Sequence, residues 1–259
     1  MNANGDIHLT RHGAAAFLTL NRPTKRNALS LAMWDAIPGL LTEAAKSPGV
    51  RALVVRGEGG VFAAGADIAE FEAVYATPDA AMDNHRRMQA ALAALESFPL
   101  PSIAMIEGAC VGGGCGLALC CDLRFASATA RFGITPAKLG LAYGIADTRR
   151  LVQTVGLSAA KDILFSGRLM DAAEAQRLQL VDRVFSEDAL EGETSAYIDA
   201  LARASSFSAK ATKAVLARLQ GGQSEDDDWS RALFASAFSG ADFKEGFEAF
   251  RQKRSPRFE

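Results

Sequence analysis

Short apolar runs alternate with amphipathic segments over the first two thirds of the chain. The runs that predict strands are residues 7–12, 14–20, 51–56, 101–106 and 123–126. Between them, apolar residues recur every three to four positions over 30–41 and 79–97, which predicts helices. We expect Pro38-Gly39 to disturb the first of these helices. Strands that alternate with helices up to about residue 185 predict an α/β fold.

The pattern changes towards the C-terminus. Helical periodicity continues over 188–204, 208–220, 225–238 and 240–252, with no strand-like run between these segments. With 259 residues, the chain is long enough for one large domain with a small helical appendage. We therefore predict a core of residues 1–200 and a C-terminal helical subdomain of residues 201–259.

Composition and charge narrow the classes of protein. The formal net charge of −2 indicates neither a nucleic-acid partner nor an anionic membrane surface. Residues 1–5 are polar and carry no secretory apolar region, and the chain has no run of 18 apolar residues. We expect a cytoplasmic protein without a membrane span.

Four cysteines lie between residues 110 and 121, namely Cys110, Cys115, Cys120 and Cys121. They form no CxxC pair and have no histidine nearby, so the pattern argues against zinc and we expect no metal site. Small thiols packed in a buried turn and helix are the simpler interpretation, and unpaired cysteines suit a reducing compartment.

Two glycine-containing turns are the candidate chemical features. Residues 111–116 (VGGGCG) connect the strand at 101–106 to a helix-like run, and residues 62–68 (FAAGADI) follow the strand at 51–56. Either turn alone is an ordinary strand–loop–helix connection. Together they could direct two backbone N–H groups at one oxygen, as in an oxyanion hole. A phosphate cradle is the alternative, but the GxxxxGK[ST] and GxGxxG patterns are absent.

These motifs occur in the order typical of one family, over nearly the whole chain. The matching stretches are Asn21-Arg22-Pro23, 27–29 (NAL), 62–68, 99–116, Cys121-Asp122, 131–133 (RFG), 245–250 (EGFEAF) and 253–258 (KRSPRF). The sequence thereby resembles the enoyl-CoA hydratase/isomerase (crotonase) superfamily. The resemblance implies a spiral of ββα units and a C-terminal helical region that forms a homotrimer or a dimer of trimers.

The resemblance also implies a substrate and a site. The substrate is an acyl-CoA thioester, as in fatty acid metabolism, so coenzyme A enters as part of the substrate and no separate cofactor is expected. The two oxyanion donors are the amides of Ala66 and Gly113. The coenzyme A moiety is implied to contact Arg26, Ala28, Ala64, Asp67 and Ile68, while Phe250 and Lys253 close over its adenine end, often from a neighbouring subunit.

The sequence departs from the hydratases of this family at two positions. Those hydratases resemble one another in having one glutamate after the glycine triplet and a second glutamate in an FGxPE-like segment. In this sequence the first place holds Gly116 and the second holds Pro136. Neither residue transfers a proton, so we expect hydration by a glutamate pair to be weak or absent.

Tyr143 and Asp147 are the remaining catalytic candidates in the segment after Pro136. The segment 135–143 resembles that of methylmalonyl-CoA decarboxylase-type members, in which a tyrosine lies near the acyl group; simple packing is the alternative for Tyr143. Asp147 could act as a catalyst, cap the helix 148–155 or pair with Arg149.

Two hypotheses follow for function. The first is an acyl-CoA enzyme, a lyase or isomerase, that stabilises a thioester enolate and catalyses decarboxylation, isomerisation or cleavage. The second is a catalytically silent acyl-CoA-binding subunit. Neither the acyl group nor the choice between trimer and hexamer follows from the sequence.

Overall fold

The computed structural model describes residues 5–258. The strands in this part of the chain are β1 (Ile7–His12), β2 (Ala15–Leu20), β3 (Ala52–Gly57), β4 (Ser102–Ile106), β5 (Ala109–Val111), β6 (Leu123–Ser127), β7 (Arg131–Gly133), β8 (Met170–Asp171) and β9 (Arg183–Phe185). The helices are α1 (Leu31–Lys46), α2 (Phe71–Val74), α3 (Pro78–Glu96), α4 (Gly113–Leu119), α5 (Ile145–Ser166), α6 (Ala172–Arg177), α7 (Leu190–Arg203), α8 (Ser206–Gln220), α9 (Asp228–Ser239) and α10 (Ala241–Arg251).

Two sheets organise these elements. The larger has the strand order β1-β2-β3-β4-β6-β9, antiparallel between β1 and β2 and parallel from β2 onwards. The smaller has the order β5-β7-β8. Parallel strands need helical crossovers, and the alternation of strands and helices along the chain supplies them. The predicted α/β class is therefore confirmed.

Apolar clusters cover both faces of the larger sheet. Val55 of β3 belongs to the main core together with Trp34 and Ile37 of α1. Its neighbour Val54 points to a second cluster that includes Ile198 of α7. Because successive side chains alternate between the faces of a strand, β3 must be apolar on both sides, which explains its uninterrupted ALVV run.

Helix α1 continues through Pro38, so the expected disturbance at Pro38-Gly39 is wrong. The Ser30 hydroxyl caps the helix by accepting a hydrogen bond from Met33 N at 3.3 Å. Ile37 and Leu41 are buried on either side of the proline. Their burial against the core offsets the hydrogen bond that proline cannot donate.

The last three helices bury little of their surface within this chain. Neither α8 nor α9 contains a buried residue, and α10 contributes Ala249. Four exposed phenylalanines contact one another in sequence along α9 and α10: Phe234, Phe238, Phe243 and Phe247. The division of the chain at residue 200 stays a prediction.

Further features of the described residues concern membrane helices, cysteines and metal-ligating side chains. None of the helices within 5–258 is both long and apolar enough to cross a membrane. The four cysteines are buried and free. Over the same residues, the His, Cys, Asp and Glu side chains form no group of three or more suited to a metal ion. Residues 1–5, where we expected no secretory segment, lie outside the described residues except for Gly5.

Candidate active site

The two glycine-containing turns lie side by side. Ala63 pairs with Cys110 in a parallel bridge that extends the smaller sheet beyond β5. The Ala63 amide donates to Ala109 O at 2.8 Å, and the Val111 amide donates to Ala63 O at 2.9 Å. Because the pairing is parallel, the chain leaves both segments in the same direction, and residues 65–66 reach the same edge as residues 112–113.

Gly65 and Gly112 make the close approach of the turns possible. Their φ angles are +116° and +54°, a region that strains any residue with a Cβ. A Cβ on Gly112 would lie 3.7 Å from Gly65 Cα, an ordinary van der Waals distance, so the backbone conformation and not a lack of space favours glycine here. Each glycine directly precedes one of the two amides predicted to form the oxyanion hole.

Hydrogen bonds to Leu29 set the direction of the Ala66 amide. The Leu29 amide donates to Gly65 O at 2.8 Å, and the Asp67 amide donates to Leu29 O at 2.9 Å. Successive backbone groups in such a pairing point to opposite sides, so the Ala66 N–H faces away from Leu29. Within 5–258 it has no protein acceptor.

The Gly113 amide opens α4, where the first N–H groups of a helix have no partner of their own. The preceding turn is held by a hydrogen bond from the Gly112 amide to Gly133 O at 2.8 Å. Behind Gly113, a Cβ would meet Trp34 Cζ2 at 3.3 Å, so α1 packs directly against the turn. Two uncommitted amides therefore border one space.

That space is a cavity of about 410 Å³, a size typical of small-molecule sites. Both candidate donors, Ala66 and Gly113, lie on its wall. The remaining wall is largely apolar and includes Leu29, Trp34, Phe71, Val74, Met88, Ile134, Leu139, Leu141 and Tyr143. A few polar groups converge on it: Glu70, Asn84, Thr135, Lys138 and Asp147.

Tyr143 stands where the family's first glutamate is missing. A Cβ on the buried Gly116 would lie 3.8 Å from the Tyr143 hydroxyl oxygen, so the phenol fills the space beside this glycine. Burial raises the pKa of Tyr143 well above its usual value, and the nearby Cys115 and Asp147 act in the same direction. Tyr143 is therefore a neutral hydrogen-bond donor on the cavity wall. Pro136 lines the same cavity at the start of a 3₁₀ turn over Pro136–Leu139.

Asp147 lies on the cavity wall in a buried polar network. Its Oδ2 accepts a hydrogen bond from Gln89 Nε2 at 2.7 Å, and its Oδ1 pairs with Arg150 Nη1 at 2.9 Å. Arg150 also donates to Glu96, through Nε at 3.0 Å and Nη2 at 2.8 Å. Buried charges with such partners hold their positions firmly.

The two structural alternatives for Asp147 need correction. The helix begins at Ile145 with Gly144 as its N-cap residue, so Asp147 lies in the first turn and is not the cap. Its ion pair is with Arg150, one turn along the helix, whereas Arg149 pairs with Glu96 at 2.7 Å. A helical spacing of three residues places Asp147 and Arg150 on one face, which the neighbouring Arg149 does not share.

The predicted coenzyme A residues divide into two groups. Ala64, Asp67 and Ile68 line the cavity, and Ile68 is 76% exposed at its mouth. Arg26 and Ala28 lie on the adjoining segment, where the Ala64 amide donates to Arg26 O at 3.0 Å. The structure thus brings the two segments together, although Arg26 and Ala28 are outside the cavity wall.

The Asp67 side chain points into the protein. It caps the 3₁₀ turn Ile68–Glu70 by accepting from Ala69 N at 3.1 Å. It also pairs with Arg22 at 2.7 Å and Lys25 at 3.3 Å. Burial opposes ionisation, but the hydrogen bonds of Arg22, Ala69 and Lys25 hold the pKa of this carboxyl below its usual range.

Phe250 and Lys253 lie apart from the cavity of this chain. Phe250 is 83% exposed at the end of α10, and Lys253 follows it with a φ of +54°. Neither belongs to the residues that line the cavity. The contact of these two residues with the adenine end of coenzyme A stays a prediction, and it would involve the cavity of a neighbouring subunit.

Sequence reasoning missed several residues of the site. Trp34 supports Gly113, while Asn84 and Met88 of α3 contribute to the wall. His85 is half-buried. Its Cε1 lies 3.2 Å from the position that a Cβ on Gly144 would occupy, so His85 packs against Gly144 beside the cavity wall. Asn84 and Met88 are one helical turn apart, so they share a face of α3. The apolar pattern of α3 does not indicate whether that face borders the protein core or a ligand cavity.

Comparison with known proteins agrees with this geometry. The model of the enoyl-CoA hydratase/isomerase family matches residues 10–259. The chain therefore belongs to the enoyl-CoA hydratase/isomerase family, whose members act on acyl-CoA thioesters as lyases or isomerases.

Individual relatives cover nearly the whole chain. A family protein from Hyphomonas neptunium has a similar structure, with a TM-score of 0.96, 46% identity and coverage of 98% of this chain and 97% of that one. A protein of Mycobacterium bovis named as a probable enoyl-CoA hydratase is 37% identical over 97% of both chains. The 2,3-dehydroadipyl-CoA hydratase of Escherichia coli is 34% identical over 98% of both. The predicted crotonase-like fold is confirmed.

Replacement of Gly114 tests the close packing of the turns. A Cβ there would lie 2.6 Å from Ala63 O and 2.7 Å from Ala63 Cβ, so Gly114→Ala must push the turns apart. We expect a loss of about 1–3 kcal/mol in the free energy of unfolding, measured by urea denaturation.

The matched control is Gly39→Ala, on the exposed face of α1, where a Cβ meets nothing within 4 Å. Here we expect a gain of about 0.5–1 kcal/mol, because alanine favours the helix. Equal stability of the two variants would contradict the packing of Gly114 against Ala63.

Proposed function

We propose that this protein binds an acyl-CoA thioester with its carbonyl oxygen between the amides of Ala66 and Gly113. The observation that carries the proposal is the pair of uncommitted amides on one cavity wall. Negative charge that develops on the thioester oxygen would be stabilised by backbone donors that are already in place. Such a site supports an enolate intermediate, and coenzyme A is part of the substrate.

Within 5–258, each carboxylate on the cavity wall already has a partner. Asp67 accepts from Arg22 and Glu70 accepts from Leu31 N at 2.8 Å. Asp147 is held by Gln89 and Arg150. These contacts give the three carboxylates structural roles, so we rank Tyr143 above Asp147 as the group that acts on the acyl moiety.

These contacts favour decarboxylation over isomerisation. When a carboxylated acyl group loses CO₂, the electron pair of the broken C–C bond passes to the α-carbon and the thioester oxygen, and a proton from solvent then completes the product. No general base is needed for the cleavage. Isomerisation requires a base that removes a proton from the acyl chain, and the described wall offers no unpaired carboxylate for this step.

A panel of acyl-CoAs tests the proposal and its alternative. Malonyl-type, enoyl and hydroxyacyl thioesters are incubated with the protein, and products and α-carbon deuterium exchange are followed by mass spectrometry. Turnover or exchange supports an enolate enzyme. Binding without either outcome favours the silent acyl-CoA-binding subunit, and absence of binding across the panel would refute both.

The missing glutamates predict slow hydration. We expect crotonyl-CoA hydration by the natural protein to be weak, and the double variant Gly116→Glu with Pro136→Glu to raise it about a hundredfold, because it restores an acid–base pair. Absorbance loss of the enoyl thioester measures the rate. Gly116→Ala is the control, since its Cβ fits 3.8 Å from Tyr143 without adding a carboxylate. Fast hydration by the natural protein would overturn this prediction.

Tyr143 is expected to act through its hydroxyl group. Tyr143→Phe keeps the ring beside Gly116 but removes the donor, and we expect a rate about a hundredfold lower on the best acyl-CoA of the panel. The substrate KM serves as the internal comparison, because coenzyme A contacts lie elsewhere. An unchanged rate would show that Tyr143 only packs the cavity.

We also propose that α9 and α10 join copies of this chain into a homotrimer or a dimer of trimers. Phe234 is 71% exposed and Phe247 55% exposed, and an aromatic run of this size is costly to leave in water. Phe250 and Lys253 would then approach a neighbour's cavity, as the family resemblance implies.

Light scattering after gel filtration tests the assembly. We expect a mass of three or six 27.4 kDa chains for the natural protein. Phe234→Glu should yield monomers, because a carboxylate in the aromatic run resists burial. Met82→Glu, at a 53% exposed position on α3, is the control that should leave the mass unchanged. A monomeric natural protein would refute the proposed assembly.

A further inference from the structure

A buried guanidinium lies directly behind the Ala66 turn. Arg22 and Asp67 form an ion pair at 2.7 Å, with 10% and 8% of their side chains exposed. Asp67 is the residue that follows the proposed oxyanion donor. The pair therefore lies one residue from the reacting site, although Arg22 does not belong to the cavity wall.

Arg22 contacts both sides of the backbone pairing that orients this donor. Its Nη2 donates to Asp67 Oδ2, while its Nη1 donates to Ala28 O at 2.7 Å. Ala28 and Asp67 each adjoin a member of the Leu29–Ala66 bridge. A single planar guanidinium thus spans the two segments with hydrogen bonds of fixed geometry.

Other contacts hold the Arg22 backbone and the Asp67 carboxylate in place. Asn27 Oδ1 accepts from the Arg22 amide at 2.8 Å, and the Asn27 side chain donates to Glu58 O at 2.9 Å. The second oxygen of Asp67 accepts from Ala69 N. Because each end is fixed by a further bond, Arg22 is part of a rigid frame and not a mobile surface cation.

We propose that Arg22 is a positioning residue for the oxyanion site. By holding Asp67 and Ala28 at a set separation, it fixes the direction in which the Ala66 N–H points. This inference rests on the proposed function, in which that amide receives the thioester oxygen. Preorganised donors stabilise developing charge only while their geometry is maintained.

The test measures how strongly the bound carbonyl is polarised. Butyryl-CoA labelled with ¹³C at its carbonyl is bound to the protein, and the infrared frequency of the thioester C=O is recorded against the free ligand. A downshift in the natural protein reports the two amide donors. We expect Arg22→Gln to reduce this downshift by roughly half, because one of two donors is misdirected.

Kinetics supply a second readout. On the best substrate of the acyl-CoA panel we expect Arg22→Gln to lower kcat by about a hundredfold with little change in KM, since a small misplacement affects the reacting atoms more than the coenzyme A contacts. The kcat of Arg22→Lys should lie between that of Arg22→Gln and that of the natural protein. One ammonium group can pair with Asp67 but cannot span both acceptors.

Arg124→Gln is the matched control. Arg124 pairs with Asp182 at 2.8 Å with 9% of its side chain exposed, and it also donates to Leu180 O at 2.9 Å, away from the cavity. We expect Arg124→Gln to lower the unfolding temperature, as we also expect of Arg22→Gln. In contrast to Arg22→Gln, it should leave the carbonyl downshift unchanged.

The outcomes separate the two proposals. No binding and no downshift with the natural protein would refute the proposed function and this inference together. A downshift that persists in full in Arg22→Gln, or that falls equally in Arg124→Gln, would overturn the positioning role alone. Should Arg22→Gln fail to fold, the comparison of Arg22→Lys with the natural protein decides the same question.

Discussion

The site depends on the parallel pairing of Ala63 with Cys110, which places the turns at Gly65 and Gly112 side by side. Both residues adopt positive φ angles, and a Cβ on Gly112 would lie 3.7 Å from Gly65 Cα. The pairing brings two turns from different parts of the chain to one edge of the smaller sheet. The amides of Ala66 and Gly113 then border the same cavity, and neither has a protein acceptor within residues 5–258. A side chain at either glycine would strain the turn that presents these donors.

The rest of the protein supports that pairing from behind. Helix α1 packs Trp34 against Gly113, and the bridge to Leu29 orients Ala66. The ion pair of Arg22 and Asp67 lies beneath this bridge. The three carboxylates of the cavity wall are likewise held by donors of the protein. Rigid donors and a mostly apolar wall suit the stabilisation of a charge that exists only during the reaction.

The similarity of this protein to its family and the reaction that we propose for it depend on different residues. The sequence is similar over nearly its whole length to proteins named as hydratases, whereas Gly116 and Pro136 cannot exchange protons. The space beside Gly116 contains the hydroxyl of Tyr143. A neutral donor in place of a carboxylate removes repulsion against a negatively charged acyl group. The proposed oxyanion site would therefore suit a reaction that differs from hydration.

Local sequence determined much of this protein: the alternation of strands and helices, the two small-residue turns, and the lack of two glutamates. These features follow from residues close together in the chain. Tertiary structure alone decided that the turns at Gly65 and Gly112 lie side by side, that the Tyr143 hydroxyl lies beside Gly116, and that Asp147 pairs with Arg150 and Gln89. Tertiary packing also keeps α1 continuous through Pro38, because the burial of Ile37 and Leu41 outweighs the tendency of proline to interrupt a helix. Such contacts arise when distant segments pack, and no periodicity along the chain encodes which side chains then meet.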